Sequence, residues 1–273
     1  MRTKLFTAVG GLLAAAACCQ PLTAAPLLPY YGAATFDPGA AIDNPLFPVT
    51  PGQTRRYEAV VDGEVVESFE FSYGGMGPSI LGIQTTVMRD AAYEEDLLVE
   101  LTYDFYAQDT AGNVWYFGED VTNYVYDDEG ELLETNTHSS WRGGVNDALP
   151  GLIMPAFTGP GFSYFQEFAA ADEALDTGFT LAENLDIATG FGEFSGVLKV
   201  LEGTTLDPAV REVKYYAPGF GLVMVEEGVD ANLMNPELTF EMVSAVPVPP
   251  AIWLLGSAVA SVFGWRRQGA AAA

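Results

Sequence analysis

Residues 97–108 read LLVELTYDFYAQ, and their alternation decides the fold class. Val99, Leu101, Tyr103, Phe105 and Ala107 form one set of positions, and Glu100, Thr102, Asp104 and Tyr106 form the other. Successive side chains of extended backbone leave opposite faces, so a period of two marks a half-buried strand. The same grammar runs upstream, where short β-branched and aromatic runs are cut by turn signals. Pro51-Gly52 leads into 55–61, Asp62-Gly63 turns into 65–73, and Gly74-Gly75 with Gly77-Pro78 breaks the chain before 82–90. Downstream, residues 109–112 turn into NVWYFG (113–118), and 121–126 with 131–139 form a hairpin about an acidic tip, 127–131.

Further runs at 162–169, 179–188 and 196–204 read as strands. A hairpin about Pro218-Gly219 follows (210–217 and 220–226), with one more strand at 238–243. No window between 44 and 244 sustains the three-four repeat of a long amphipathic helix. The fold class is therefore all-β: one domain over 44–244, preceded by a linker at 26–43. A meander of about ten to twelve strands is too long to stay flat, so a single strongly curved antiparallel sheet is expected, half-barrel or barrel-like.

Residues 141–161 (WRGGVNDALPGLIMPAFTGPG) are rich in Gly and Pro, yet carry Leu149, Leu152, Ile153, Met154 and Phe157. A loop that apolar must pack on something. It is expected either to cover one open end of the sheet or to line a pocket.

All 37 acidic residues lie from Asp37 to Glu241, while four of the 11 basic ones (Arg2, Lys4, Arg266, Arg267) stand in the chain ends. The domain thus carries 7 − 37 = −30. Such a charge repels nucleic acid and anionic lipid, and favours solubility and counter-cations. The tip at 127–131 lacks the alternating ligands and distal bidentate Glu of a calcium loop. It reads as a hairpin turn, with Gly130 taking positive φ. Cys18 and Cys19 are the only cysteines and sit ahead of the domain, which excludes disulfides and thiol chemistry from it.

His138 is the only histidine, so a multi-histidine metal site is excluded, and no G-x-S-x-G elbow occurs. No cofactor and no metal is expected. Carboxylate pairs are harder to exclude among so many acids; Asp104, Glu119-Asp120 and Glu167, near aromatic residues, are the candidates for glycosidase-like chemistry.

The chain ends read as delivery signals. Arg2 and Lys4 precede an apolar run, 5–17, with small residues after it, the pattern of a secretory signal peptide over 1–25. Ala15-Ala16-Ala17-Cys18 is a weak lipobox. At the other end, 246–267 reads VPVPPAIWLLGSAVASVFGWRR: a proline leader, an apolar run at 251–265, and two arginines. Fifteen residues make a helix of about 22 Å, short of the ~30 Å hydrocarbon core. The arginines would stay cytoplasmic and the domain outside.

Val246, Pro247, Val248, Pro249, Pro250, Trp253, Gly256, Arg266 and Arg267 together resemble the PEP-CTERM sorting signal in its proline-valine variant, across 245–267. Pro250 stands where that variant commonly has Ala, and a 268–273 extension follows. The resemblance implies Sec export, transient anchoring in the inner membrane by a transmembrane helix at 251–265, and processing by an exosortase-type enzyme. Release to the cell surface or exopolysaccharide matrix follows. Within the domain, YAQDTAGNVWYFGE (106–119), 141–155 with its PGLIMP core, and KYYAPGFGLV (214–223) resemble an uncharacterised family of exported bacterial proteins. The last, after Gly192-Glu193-Phe194, is also similar to periplasmic lipoproteins with curved, partly open sheets.

Three roles compete. The leading one is a non-enzymatic surface or matrix protein. The alternative is a binding module for a lipid or a glycan such as exopolysaccharide, with Trp115, Trp141, Leu152, Met154, Phe157, Tyr215 and Tyr216 lining the open side of the sheet. A carboxylate-based hydrolase comes third. A solvent-connected cavity of roughly 300 Å³ or more, apolar with a few convergent polar groups, would favour binding, and a filled interior the matrix role.

Overall fold

The computed structural model describes residues 25–247. The expected signal segment up to residue 24 and the apolar run 251–265 lie outside the described residues. Among the described residues no helix is long and apolar enough to cross a membrane. Helical structure there is limited to two 3-10 turns, Tyr31–Ala33 and Ala170–Asp172.

The strands are β1 (Gln53–Val61), β2 (Glu64–Ile80), β3 (Ile83–Glu94), β4 (Leu97–Gln108), β5 (Val114–Tyr126), β6 (Leu132–Asn136), β7 (Trp141–Arg142) and β8 (Leu149–Met154). They continue as β9 (Ser163–Phe165), β10 (Glu167–Phe168), β11 (Asp176–Ala188), β12 (Glu193–Thr204), β13 (Arg211–Ala217), β14 (Gly221–Glu227) and β15 (Leu238–Pro247). All fifteen belong to one sheet, more than the ten to twelve expected. Part of the excess comes from 141–161, which is no free loop: it supplies β7 and β8, both paired with β5, while the run expected at 162–169 divides into β9 and β10. Conversely, 113–118 and 121–126 are a single strand, β5.

Most neighbours in sequence are neighbours in the sheet, except that β1 pairs with β15, which brings the two halves of the meander together. Closure comes from residues 163–168. Their first half, β9, pairs with β11, and their second half, β10, pairs with β8. Only Gln166 separates them, so this one segment joins both edges and the sheet curls into a nearly closed barrel. Gly151 on β8 permits the approach: a Cβ there would lie 2.2 Å from the Gln166 carbonyl oxygen.

One end of the barrel, where β1 and β5 begin and β4 and β13 finish, is filled by residues 42–49. Ile42 and Val49 are buried there, and Phe47 meets the Tyr106 ring edge-on at 5.2 Å. Polar anchors fix the plug. Gln108 Oε1 accepts from the Asp43 and Asn44 backbone N–H groups at 2.9 and 2.8 Å, Asn44 Nδ2 donates to Gly112 O at 2.8 Å, and Gly219 N–H donates to Pro45 O at 2.7 Å. The covering role expected of 141–161 thus falls to 42–49. Residues 26–43 also differ from a linker: Leu27 bridges Tyr164, and Phe36 packs on Trp115 and Phe117 at 6.1 and 5.8 Å.

Two apolar clusters result. The inner one holds Tyr57, stacked on Phe69 at 4.5 Å, with Phe240 and Met242. Such an aromatic pair contributes about 0.5–1.5 kcal/mol beyond burial. The outer one holds Phe105, Ala107, Trp115, Phe117, Leu152 and Tyr164, covered by Phe36 and by Ile80 and Ile83 at the β2–β3 tip. So the alternation of β4 is real, but its more apolar set faces outward. Elsewhere the outer wall is charged: Arg56 pairs with Glu58 at 2.7 Å and Glu70 at 3.0 Å across β1 and β2.

Candidate functional site

The opposite set of β4 faces a cavity of about 770 Å³ inside the barrel, lined there by Glu100, Thr102, Asp104 and Tyr106. It runs from the plug, at Phe47 and Val49, to the other end of the barrel, where Asp176, Glu212, Glu227 and Glu237 stand at the mouth. A second recess of about 350 Å³ shares Phe71, Asp90, Glu100, Lys214 and Leu222 with it. Eleven carboxyl side chains line the main cavity against three basic ones, Arg55, Arg211 and Lys214, so its field is negative.

A bulge places the central acid. Strict alternation after Tyr116 would turn Glu119 outward. The β4–β5 register shifts between Asp104 and Tyr106, so that Tyr106 faces Tyr116 while Asp104 faces Glu119. Gly118 absorbs the shift at φ +136°, where a Cβ would come 2.4 Å from Trp141 O. Glu119 thereby joins Asp104 in the cavity.

The Tyr116 hydroxyl lies 2.5 Å from Asp104 Oδ1 and 2.8 Å from Glu119 Oε2. A phenol has one proton to donate. Satisfying both contacts requires one carboxyl to be protonated and to donate to the phenol oxygen. The electrostatics agree: burial pushes the Asp104 carboxyl up to about 7, against the stabilising Tyr116 bond. Burial, reinforced by the Asp104 charge, pushes Glu119 up to about 8. Burial first, then a neighbouring acid, also holds Glu167 and Asp90 well above the usual carboxylate range; the neighbours are Glu119 and Asp104 respectively.

Lys214 is occupied elsewhere. Its ammonium sits 2.8 Å from Glu202 and 2.9 Å from Glu212, and Tyr216 donates to Glu202 at 2.9 Å. Burial works to lower the Lys214 pKa, but the two carboxylates outweigh it and hold the charge. Two polar groups facing the cavity have no partner, Asp90 Oδ1 and Gln166 Nε2, and Gln166 is only 3 % exposed. Among the described residues no group of three or more His, Cys, Asp or Glu is arranged to hold a metal ion.

Of the aromatic and apolar residues expected to line a ligand site, only Tyr216 faces the cavity. Trp115 and Leu152 belong to the outer cluster; Trp141 and Met154 are packed in the inner one, Trp141 edge-on to Tyr116 at 5.4 Å. Phe157 is 76 % exposed, and the Tyr215 hydroxyl donates to Glu226 at 2.7 Å. Asp104, Glu119 and Glu167 do converge on the cavity, whereas Asp120 is exposed and paired with Arg142. His138 is exposed. Val246 and Pro247 pair with Thr54 and Gln53 as the end of β15, rather than standing free. Val248, Pro249, Pro250, Trp253, Gly256, Arg266 and Arg267 lie outside the described residues. Sequence reasoning missed Asp90, Tyr106, Tyr116, Gln166, Glu202 and Lys214. The available signal was the polar set of β4, together with the rarity of lysine in the domain.

No protein-family model matches the chain, and no curated protein matches it. Among solved structures, it is similar to a Bacteroides fragilis protein described as exported with a YmcC-like fold, at 12 % identity and a TM-score of 0.38, over 78 % of this chain and 99 % of that one. It is also similar to a protein of Parabacteroides distasonis described as a lipoprotein, at 12 % identity and a TM-score of 0.34, with the same coverage of both.

Proposed function

We propose that the chain is an exported, non-enzymatic binding protein whose barrel takes up a polar ligand through its open mouth. The cavity of about 770 Å³ carries this reading, because a filled interior would have left only the matrix role. Its lining changes the kind of ligand, since carboxyls rather than apolar side chains dominate it.

Export rests on Arg2, Lys4 and the apolar run 5–17. The tail at 245–267 then holds the protein in the inner membrane until an exosortase-type enzyme processes it, leaving the barrel at the cell surface or among exopolysaccharide. The geometry suits that arrangement. β15 ends beside Gln53, at the plugged end, and the mouth lies at the opposite end of the barrel from Pro247.

Native mass spectrometry of the protein purified from its own host tests the binding role. A bound small molecule, released on denaturation, is the expected result; an empty, monodisperse protein would return the matrix role to first place.

A second reading has one observation in its favour. Asp104 and Glu119, bridged by Tyr116 in an open cavity, meet the minimum for carboxylate acid–base chemistry. Glycan turnover abolished by both Asp104→Asn and Glu119→Gln would establish it, and turnover surviving both would dismiss it.

A further inference from the structure

The deep cavity combines acids lacking a cationic partner with a buried amide lacking an acceptor. Among the described residues Asp90, Asp104, Glu119 and Glu167 form no ion pair, and Lys214, the lysine that lines the cavity with them, is held by Glu202 and Glu212. Gln166, on the segment that closes the barrel, presents an unpartnered Nε2 to the same space. A buried donor without an acceptor is costly, so a ligand supplying one recovers that cost on binding.

These demands narrow the ligand class. A neutral sugar would hydrogen-bond the acids but bring no charge to balance them. A linear polyamine would answer the acids but offers no acceptor to Gln166. A bare metal ion finds no set of three ligand side chains. The rings of Tyr106 and Tyr116 add flat apolar surface beside the acids, suited to the face of a pyranose. We propose that the cavity binds a sugar bearing a free amino group, its ammonium among Asp104, Glu119 and Glu167 and a ring or hydroxyl oxygen accepting from Gln166. The volume falls within the range of small-molecule sites, with room for a disaccharide. This inference rests on the binding role proposed above and names its ligand.

Calorimetric titration of the full chain tests it with three probes: the disaccharide of glucosamine, its N-acetylated counterpart and spermidine. The amino disaccharide is expected to bind at least about tenfold more tightly than the acetylated one. Glu119→Gln and Glu167→Gln, both near-isosteric, should each weaken it by about tenfold, and Gln166→Leu should weaken the disaccharide but not spermidine. Glu134→Gln on exposed β6 should leave it unchanged. Equal binding of the acetylated disaccharide would overturn the cationic part. Spermidine binding more tightly than the disaccharide would overturn the sugar part. No binding, or binding indifferent to all three cavity variants, would overturn the whole proposal. A different molecule retained in native mass spectrometry would still uphold the binding role.

Discussion

The Tyr116 hydroxyl stands 2.5 Å from Asp104 Oδ1, joining neighbouring strands of the barrel wall from inside the cavity, and it serves Glu119 at the same time. Tyr116→Phe removes the hydroxyl these two acids share. The loss of a buried bridge to charged or partly charged groups is expected to cost about 1–3 kcal/mol. A urea melt should show a lower midpoint with an unchanged slope. A midpoint equal to that of the unaltered protein would mean that the acids do not depend on the phenol.

The same acids make stability depend on pH in an unusual direction. Asp104 and Glu119 titrate near 7 and 8 in the folded barrel, above the ordinary carboxylate range of the unfolded chain. The native state therefore binds more protons than the unfolded state between about pH 4 and 8. Their contribution is present in full below the unfolded pKa and is lost as pH rises through 7 and 8. The melting temperature should fall by about 5 °C or more between pH 6 and 9. Glu119→Gln should flatten that decline, and a melting temperature constant or rising across the interval would contradict it.

Gly118 holds Glu119 in place through a backbone conformation that L-residues avoid. Gly118→Ala adds a Cβ 2.4 Å from Trp141 O at φ +136°. The expected cost is about 2–4 kcal/mol, read as a drop in thermal midpoint. An Ala variant as stable as the parent would show that the bulge is not needed.

How much of this was legible beforehand follows from β4 and β5. The alternation in LLVELTYDFYAQ fixes a strand, and repetition of that grammar along the chain fixes a curved antiparallel sheet. Alternation alone does not say which face is inside. Phe105 and Ala107 look like core and do lie in a core, but in the outer one, because 31–36 and the β2–β3 tip cover them. Asp104 and Glu119 were visible as acids near aromatics. Their convergence depends on a register shift at Gly118, and nothing in VWYFGED distinguishes a bulge from a continuing strand. The plug escaped notice for a similar reason: Ile42 falls in the stretch read as linker, and Phe47 stands ahead of the first expected strand, at 55–61.

That plug gives a separate prediction. Asn44 is 6 % exposed; its side chain accepts from Leu46 N–H at 2.9 Å and donates to Gly112 O at 2.8 Å. Asn44→Ala should cost about 1–3 kcal/mol by leaving both groups unpaired. Hydrogen exchange should quicken at Asp43, Asn44 and Gly219, and unaltered exchange at these three amides would mean that the plug is held by its apolar side chains alone.

The tail is tested by intact-mass measurement of protein released by its own host. Processing near 246–250 predicts a C-terminus ahead of the apolar run. A released protein still carrying Arg266 and Arg267 would leave a plain anchor in place of a sorting signal.

The central claim is that the interior of this barrel is a binding site, and locating a ligand there tests it most directly. A crystal structure of the protein purified from its own host is predicted to show ordered density beyond water between Asp104, Glu119, Glu167 and Gln166. Ordered water alone throughout the cavity, with the retained molecule on the outer wall or absent, would contradict the account.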